Sequence, residues 1–371
     1  MKKHAMALAV GLVSSLPVAA VAAPTIYGQF MVSLDKASDY PALTPRAIIG
    51  DTPALFAAPP FGTELFDDAW FVESNSSRIG IRGSEELFNK DMSVIYQYET
   101  QADIDGDGPT FTTRNAFLGL DTKAGKIFAG NYDSVTKLAD GDIDQFDNTV
   151  ADMRGTFLGQ HRNANTLNWE SKDMSGMVFR VQLAPGEGDV AGTPPNTDDK
   201  DGLADTLGAS VTFKQDTLFA AFAFEQSYDE VDIVDPLAPP AVVTVGVDTQ
   251  LIRGSAGLSL DGGIELGAII ELFELDPDLP GADKADGRSF LVSGKVAAND
   301  RLALKAQLGM LDSSDLDTEI TTISLGTDYM LGKQTTAYAL VSLSDVEIEP
   351  APLVKIDESG NVISLGLKHK F

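Results

Sequence analysis

The chain has 371 residues, no cysteine and a formal net charge of −28. Without thiols it can form neither a disulfide framework nor a cysteine zinc site, and its acidity excludes nucleic acid as a natural partner while favouring cations. No apolar run beyond the N-terminus reaches the length of a membrane helix, so any membrane crossing has to be made by strands.

In chain order, Lys2, Lys3 and His4 make a basic start, Ala5 to Leu16 is mainly apolar, and small residues follow through Ala23. This pattern predicts a secretory signal over 1–22, cleaved after Ala22, with Ala20 and Ala22 as the small-residue pair. Loss of Lys2 and Lys3 with the signal takes the formal charge from −28 to −30. The mature domain is then 23–371. Its first strand falls near Thr25–Leu34, and a Pro-rich acidic segment occupies Asp35–Asp68.

From there strand-like segments meet in pairs at tight polar turns. The turns are Leu87–Asp91, Lys123–Lys126, Lys172–Gly176, Lys214–Thr217, Asp261–Gly263, Ala298–Arg301 and Leu331–Gln334. Gly, Asn, Asp and Lys at these positions are hairpin chemistry. Between hairpins the expected long irregular segments include Pro185–Asp205, Asp229–Val247 and Asp345–Gly360. Several strands alternate. Leu302, Leu304, Ala306, Leu308 and Met310 share one face, opposite Ala303, Lys305, Gln307 and Gly309. The last strand places Ile363, Leu365, Leu367 and Phe371 on one face, with Ser364, Gly366, Lys368 and Lys370 on the other. A soluble sandwich also alternates, but an even set of sixteen strands, short turns at one end and long loops at the other fits a closed barrel in an outer membrane.

Two other signals weaken on inspection. Asp103-Ile104-Asp105-Gly106-Asp107-Gly108 begins like a calcium loop, but its twelfth position is Arg114 where a bidentate glutamate is needed. Only three histidines exist, His4, His161 and His369, and none stands in a nucleophile motif. No catalytic residue, metal site or cofactor is expected, and the chain does not read as an enzyme.

Three segments together resemble the general diffusion porins of Gram-negative outer membranes. They are Ser76-Ser77-Arg78-Ile79-Gly80-Ile81-Arg82-Gly83-Ser84-Glu85-Glu86-Leu87, Arg114-Asn115-Ala116-Phe117-Leu118-Gly119-Leu120 and Ile127-Phe128-Ala129-Gly130-Asn131-Tyr132-Asp133. The opening Ile26-Tyr27-Gly28-Gln29-Phe30 and the terminal Phe371 fit the same family. The resemblance implies a 16-stranded antiparallel transmembrane β-barrel with short periplasmic turns, long extracellular loops and an inward-folded third loop. It also implies a homotrimer among outer-membrane lipid and lipopolysaccharide, with the second loop latching a neighbouring subunit.

The third loop then spans roughly Ser134–His161 and narrows the lumen. It offers Asp140, Asp142, Asp144, Asp147 and Asp152, against Lys137 and Arg154. The facing wall takes Arg78 and Arg82, which period two places on one inward face, and Arg114 and Arg162 by position in the family pattern. The loop lacks the family's familiar Pro-Glu-Phe-Gly-Gly turn, and Phe128 and Asn131 stand where basic residues are common. The implied function is passive passage of small hydrophilic solutes and ions, with a mild cation preference. A solute-selective channel and a non-conducting structural or adhesive barrel are the alternatives.

Overall fold

The computed structural model describes residues 23–38, 68–88, 91–106, 111–186, 202–234, 242–278, 282–351 and 354–371. The expected signal, 1–22, lies outside them, as do residues 39–67 of the first acidic segment and 187–201 of the segment Pro185–Asp205. Among the described residues seventeen strands form one sheet: β1 Thr25–Ser38, β2 Ala69–Ser74, β3 Arg78–Glu86, β4 Ser93–Ala102, β5 Phe111–Thr122 and β6 Gly125–Asp133. Then follow β7 Arg162–Glu170, β8 Met177–Ala184, β9 Thr206–Lys214, β10 Leu218–Val234, β11 Val242–Leu260 and β12 Ile264–Pro277. The last five are β13 Ala285–Ala297, β14 Leu302–Ser313, β15 Thr318–Met330, β16 Thr335–Ala351 and β17 Val354–Lys370.

Strands β2 and β3 are halves of one stave, since both pair in succession with β1. The break at Asn75–Ser77 turns on Ser76, held at φ 53°. Sixteen staves therefore close the barrel. Closure is made by β1 on β17, from Gln29 opposite Lys370 to Ser38 opposite Asn361. Gly28 and Phe371 exchange both backbone hydrogen bonds at 3.1 Å, so the ladder runs to the last residue. Every edge is paired, which hydrocarbon requires because it offers no partner for a free N–H or C=O.

The alternation read from the sequence is the in–out pattern of the wall. Leu304, Ile323, Ile363 and Leu365 face outward and are exposed, whereas Lys305, Gln307, Ser324 and Ser364 face inward and are buried. All seven expected turns join neighbouring strands.

The expected irregular segments Asp229–Val247 and Asp345–Gly360 are corrected. β10 and β11 stay paired up to Val234 opposite Val242, and β16 and β17 up to Ala351 opposite Val354. The strands continue because the ladder overrides the weak local propensity of acidic and proline residues. The alternation also continues with its polarity reversed, Val346 pointing inward while Glu347 is exposed outside. Above the outward apolar band, Val247, Leu251, Phe273, Leu275, Leu311, Ile320 and Val346 form a dry cluster within the barrel. A pattern search for apolar-out strands passes over segments whose apolar residues point in.

Candidate pore constriction

Between β6 and β7 the chain turns into the barrel. The excursion is closed at its neck by Ser134 N–H donating to His161 O at 3.2 Å. One helical turn, α1 Val135–Leu138, starts it, with the Ser134 hydroxyl capping Lys137 N–H. A 3-10 turn at Met153–Gly155 is capped by Asp152.

Three charged residues on consecutive strands grip both ends of this loop, each with no exposed surface: Glu225, Arg253 and Glu271. Glu225 accepts from Thr136 Oγ1 at 2.8 Å at the loop's entry and meets His161 Nε2 at 2.8 Å at its exit. Arg253 Nη1 donates to Thr136 O at 2.9 Å, and its Nε donates to Glu271 at 2.9 Å. Glu271 also accepts from Leu158 N–H at 2.9 Å and Gly159 N–H at 3.2 Å. Farther along, Lys305 Nζ donates to Gln145 O at 2.9 Å and Gln307 Nε2 to Asp144 Oδ1 at 3.0 Å.

Glycines make room for the loop on the same wall. A Cβ at Gly208 would stand 2.5 Å from Val135, one at Gly267 2.5 Å from Ile143, and one at Gly326 2.7 Å from Phe146. Phe146 is fully buried among Met31, Ala151, Tyr338 and Leu340. The loop is thus seated along β9 to β16, and the open lumen lies toward β3, β5 and β7.

The wall on that side is irregular where it carries charge. Tyr98 pairs with Ala116 but Thr100 with Thr113, a bulge at Arg114–Asn115 that turns both side chains inward. Gly130 pairs with Thr166 but Tyr132 with Asn163, a second bulge in which Asn165 adopts φ 55°. Bulges re-aim side chains without ending the sheet. Arg114 Nε donates to Glu99 at 2.7 Å, and Arg78 Nε lies 3.8 Å from the same carboxylate. Asp133 is shared by Lys137 at 2.8 Å and Arg162 at 3.0 Å, and accepts from Asn115 Nδ2 at 2.6 Å.

A cavity of about 980 Å³ runs from the short-turn end, at Lys333, Gln334 and Lys370, up to the loop at Asp140, Asp147 and Thr149. Arg78, Arg114 and Arg162 line it, with Asp140, Asp142, Asp144 and Asp147. Two sequence candidates do not. Arg82 shares the inward face of Arg78, but period two fixes a face and not a height; it sits exposed nearer the short-turn end, 4.7 Å above the Tyr27 ring. Asp152 instead accepts from Arg154 N–H at 2.8 Å and Asn148 N–H at 2.7 Å, holding the loop's own fold.

The lining aspartates also differ. Asp144 is tied down by Phe146 N–H at 2.8 Å, Met153 N–H at 2.9 Å and Gln307, whereas Asp147 is exposed to the lumen. Missed by the sequence reading were Asp133 and Glu99, the wall's own acids, the clamp formed by Glu225, Arg253 and Glu271, and a set of lining lysines. Lys305, Lys368 and Lys370 already stood on the polar faces of alternating strands, so that signal was present. In the calcium-like segment, Asp103 accepts from Gln101 Nε2 at 2.9 Å and Asp105 from Ser74 N–H at 2.6 Å. Among the described residues no group of three potential metal ligands occurs.

The family model for Gram-negative porins matches residues 5–347. The major outer membrane protein P.IB of Neisseria gonorrhoeae is 27% identical over 190 residues, 50% of this chain and 49% of that protein. The chain thus spans about half the length of that relative. The major outer membrane protein P.IA of Neisseria meningitidis serogroup C is 24% identical over 407 aligned positions covering 100% of both chains. Among solved structures, the anion-selective porin from Comamonas acidovorans superposes with TM-score 0.67 at 15% identity, over 94% of this chain and 99% of that one. The trimer form of OmpT from Vibrio cholerae gives 0.67 at 14%, over 94% and 99%. At these identities the structural likeness is one of fold. The chain belongs to the Gram-negative porin family and is an outer-membrane β-barrel protein.

Proposed function

We propose that this porin is a passive channel, assembled as a homotrimer, for small hydrophilic solutes and ions. The observation that carries the reading is the cavity of about 980 Å³, wholly framed by the barrel wall and the inward loop and lined mostly by charged and polar groups. An enzyme would need a positioned base and nucleophile, and an adhesive barrel has no use for such a lumen. Loop carboxylates facing wall arginines set a field across the passage that orders water and favours polar solutes.

The mild cation preference expected from the acidic loop and the few wall cations does not follow from the lining as a whole. Among the described residues eleven Lys or Arg and eight Asp or Glu line the cavity. Acidity is carried by residues away from the pore, and permeating ions respond to the charges within a Debye length of about 8 Å. A mild anion preference is therefore the better reading. The anion-selective porin of similar fold is consistent with it.

Reconstitution in a planar bilayer tests this. Conductance steps in groups of three with an anion-directed reversal potential in a KCl gradient are expected. Arg114→Gln should move the reversal toward cations, while Arg82→Gln should leave it in place. A folded trimer without conductance would overturn the channel, and a cation-directed reversal would overturn the lining argument alone.

A further inference from the structure

The lining charge is unevenly distributed along the pore axis. At loop depth five cations (Arg78, Arg114, Lys137, Arg154 and Arg162) stand beside five acids (Asp133, Asp140, Asp142, Asp144 and Asp147). The other six lining cations are lysines set against only three further acids, Asp216, Glu265 and Asp328. Two of the six, Lys214 and Lys305, reach the loop at Asp142 and at Gln145 O. Half of the six lysines are compensated: Lys214 by Asp142 at 3.1 Å, Lys295 by Glu265 at 2.7 Å and Lys305 by Asp328 at 2.9 Å. Among the described residues Lys333, Lys368 and Lys370 make no ion pair within 4 Å and no side-chain hydrogen bond. Lys368 lies, with Arg78, in the field of Asp147, and the three lysines carry the surplus.

These three lie together at the seam where the barrel closes. Lys333 is in the β15–β16 turn, and Lys368 and Lys370 point inward from β17. Gln29 on β1 is opposite Lys370 on one side and Arg78 on the other. With strands about 4.8 Å apart, the backbones of Lys370 and Arg78 are about 10 Å apart across one rung. Arg78 Nη1 is buried there with no hydrogen-bond partner among the described residues. Lys333, Lys368, Lys370 and Arg78 line one cavity, so several anionic groups on one small molecule can engage them together. Chloride gains from only one or two of these cations at a time, whereas a multivalent anion engages them together.

We propose that the seam formed by Lys333, Lys368, Lys370 and Arg78 is a binding subsite for small polyanions bearing two or more carboxylate or phosphate groups, reached from the periplasmic end. It rests on the channel reading and deepens it by giving the pore a substrate class and a sidedness. Short turns face the periplasm in barrels of this kind, so a polyanion there meets the lysines before it meets the loop aspartates. From the other side the loop carboxylates come first.

The test is sided block with citrate as the probe and acetate as the monovalent control. The chain has no cysteine, so Asp300→Cys, biotinylated on the short-turn side, marks orientation in the bilayer. Citrate added to that side should block at a concentration about tenfold lower than from the loop side, while acetate shows no sidedness. K368Q/K370Q should abolish the difference, with K333Q as the milder variant should the double change impair assembly. Equal block from both sides, or sided block that survives these substitutions, would overturn the proposal. Calorimetry of citrate binding to the detergent-solubilised trimer separates the two readings. Heat that vanishes in K368Q/K370Q supports the subsite even where no current is seen, a result that sinks the channel alone. No heat in the unaltered protein sinks the subsite alone.

Discussion

The two sides of this barrel are built differently. From β3 to β9 the strands run 8–12 residues, and the wall is interrupted at Ser76, at Arg114–Asn115 and near Asn165. From β10 to β17 they run 12–19 residues, and from β10 through β16 the pairing register is unbroken. About ten tilted residues suffice to span a bilayer. The excess on the tall side carries the dry inward cluster, and below it the clamp and glycine notches that seat the loop. The short side does the reverse, giving up regular pairing to aim arginines into water. A fixed constriction needs both: a wall regular enough to hold the loop, and a facing wall irregular enough to present charge.

The comparison breaks most decisively at the clamp. Glu271→Ala removes the partner of Arg253, which is fully buried, and orphans the Leu158 and Gly159 amides. Breaking a buried pair by removing one member costs about 3–5 kcal/mol, because the remaining charge stays buried without compensation. A lowered thermal midpoint of the detergent-solubilised protein, followed by circular dichroism, and noisy open-channel current are expected. An unchanged midpoint and quiet current would show that the tall wall does not hold the loop through these charges.

Much of this division was legible in the sequence, and the reason is physical. Period-two alternation and turn chemistry are local, so the Leu302–Met310 strand, the seven turns and the inward faces of Arg78 and Lys305 could be read directly. Axial height is not local. It follows from register and shear around the whole barrel, which is why Arg82 and Arg78 looked equivalent. Cap roles are also hidden: Asp152 has the same composition as Asp147, and only the turn that follows it consumes its oxygens. The reversed polarity above the outer band was on the page at Val346 and Glu347, but it needed the expectation that a strand can leave the membrane and exchange its faces. Glu225, Arg253 and Glu271 carried a weaker signal, a charge at an inward position of an otherwise apolar long strand.

Seating is tested more gently by Gly267→Val. Its side chain would enter the space of Ile143, whose Cγ2 already lies 2.5 Å from a Cβ built there. Overpacking of this kind costs about 1–3 kcal/mol. The backbone of β12 is held on both sides by β11 and β13, so the loop is what yields. Displaced toward the arginine wall, it should lower the single-channel conductance while the barrel still folds. A conductance equal to that of the unaltered protein would mean that the loop's contact with the tall wall does not set the width of the passage.

The smallest effects sharpen the distinction within the loop itself. Asp147→Asn and Asp152→Ala each delete one carboxylate, and a reading based on loop charge alone assigns them the same shift in reversal potential. Their surroundings differ. Asp147 is exposed to the lumen, whereas both oxygens of Asp152 are committed to backbone amides of the loop. Neutralising Asp147 should therefore move the reversal toward anions without changing stability. Removing Asp152 takes away a cap worth about 1 kcal/mol and should appear as a small loss of thermal stability, with little movement of the reversal potential. Identical shifts from the two variants would mean that the field in the passage depends on the sum of loop charge. Distinct shifts would show that it depends on which carboxylates still have an oxygen facing water.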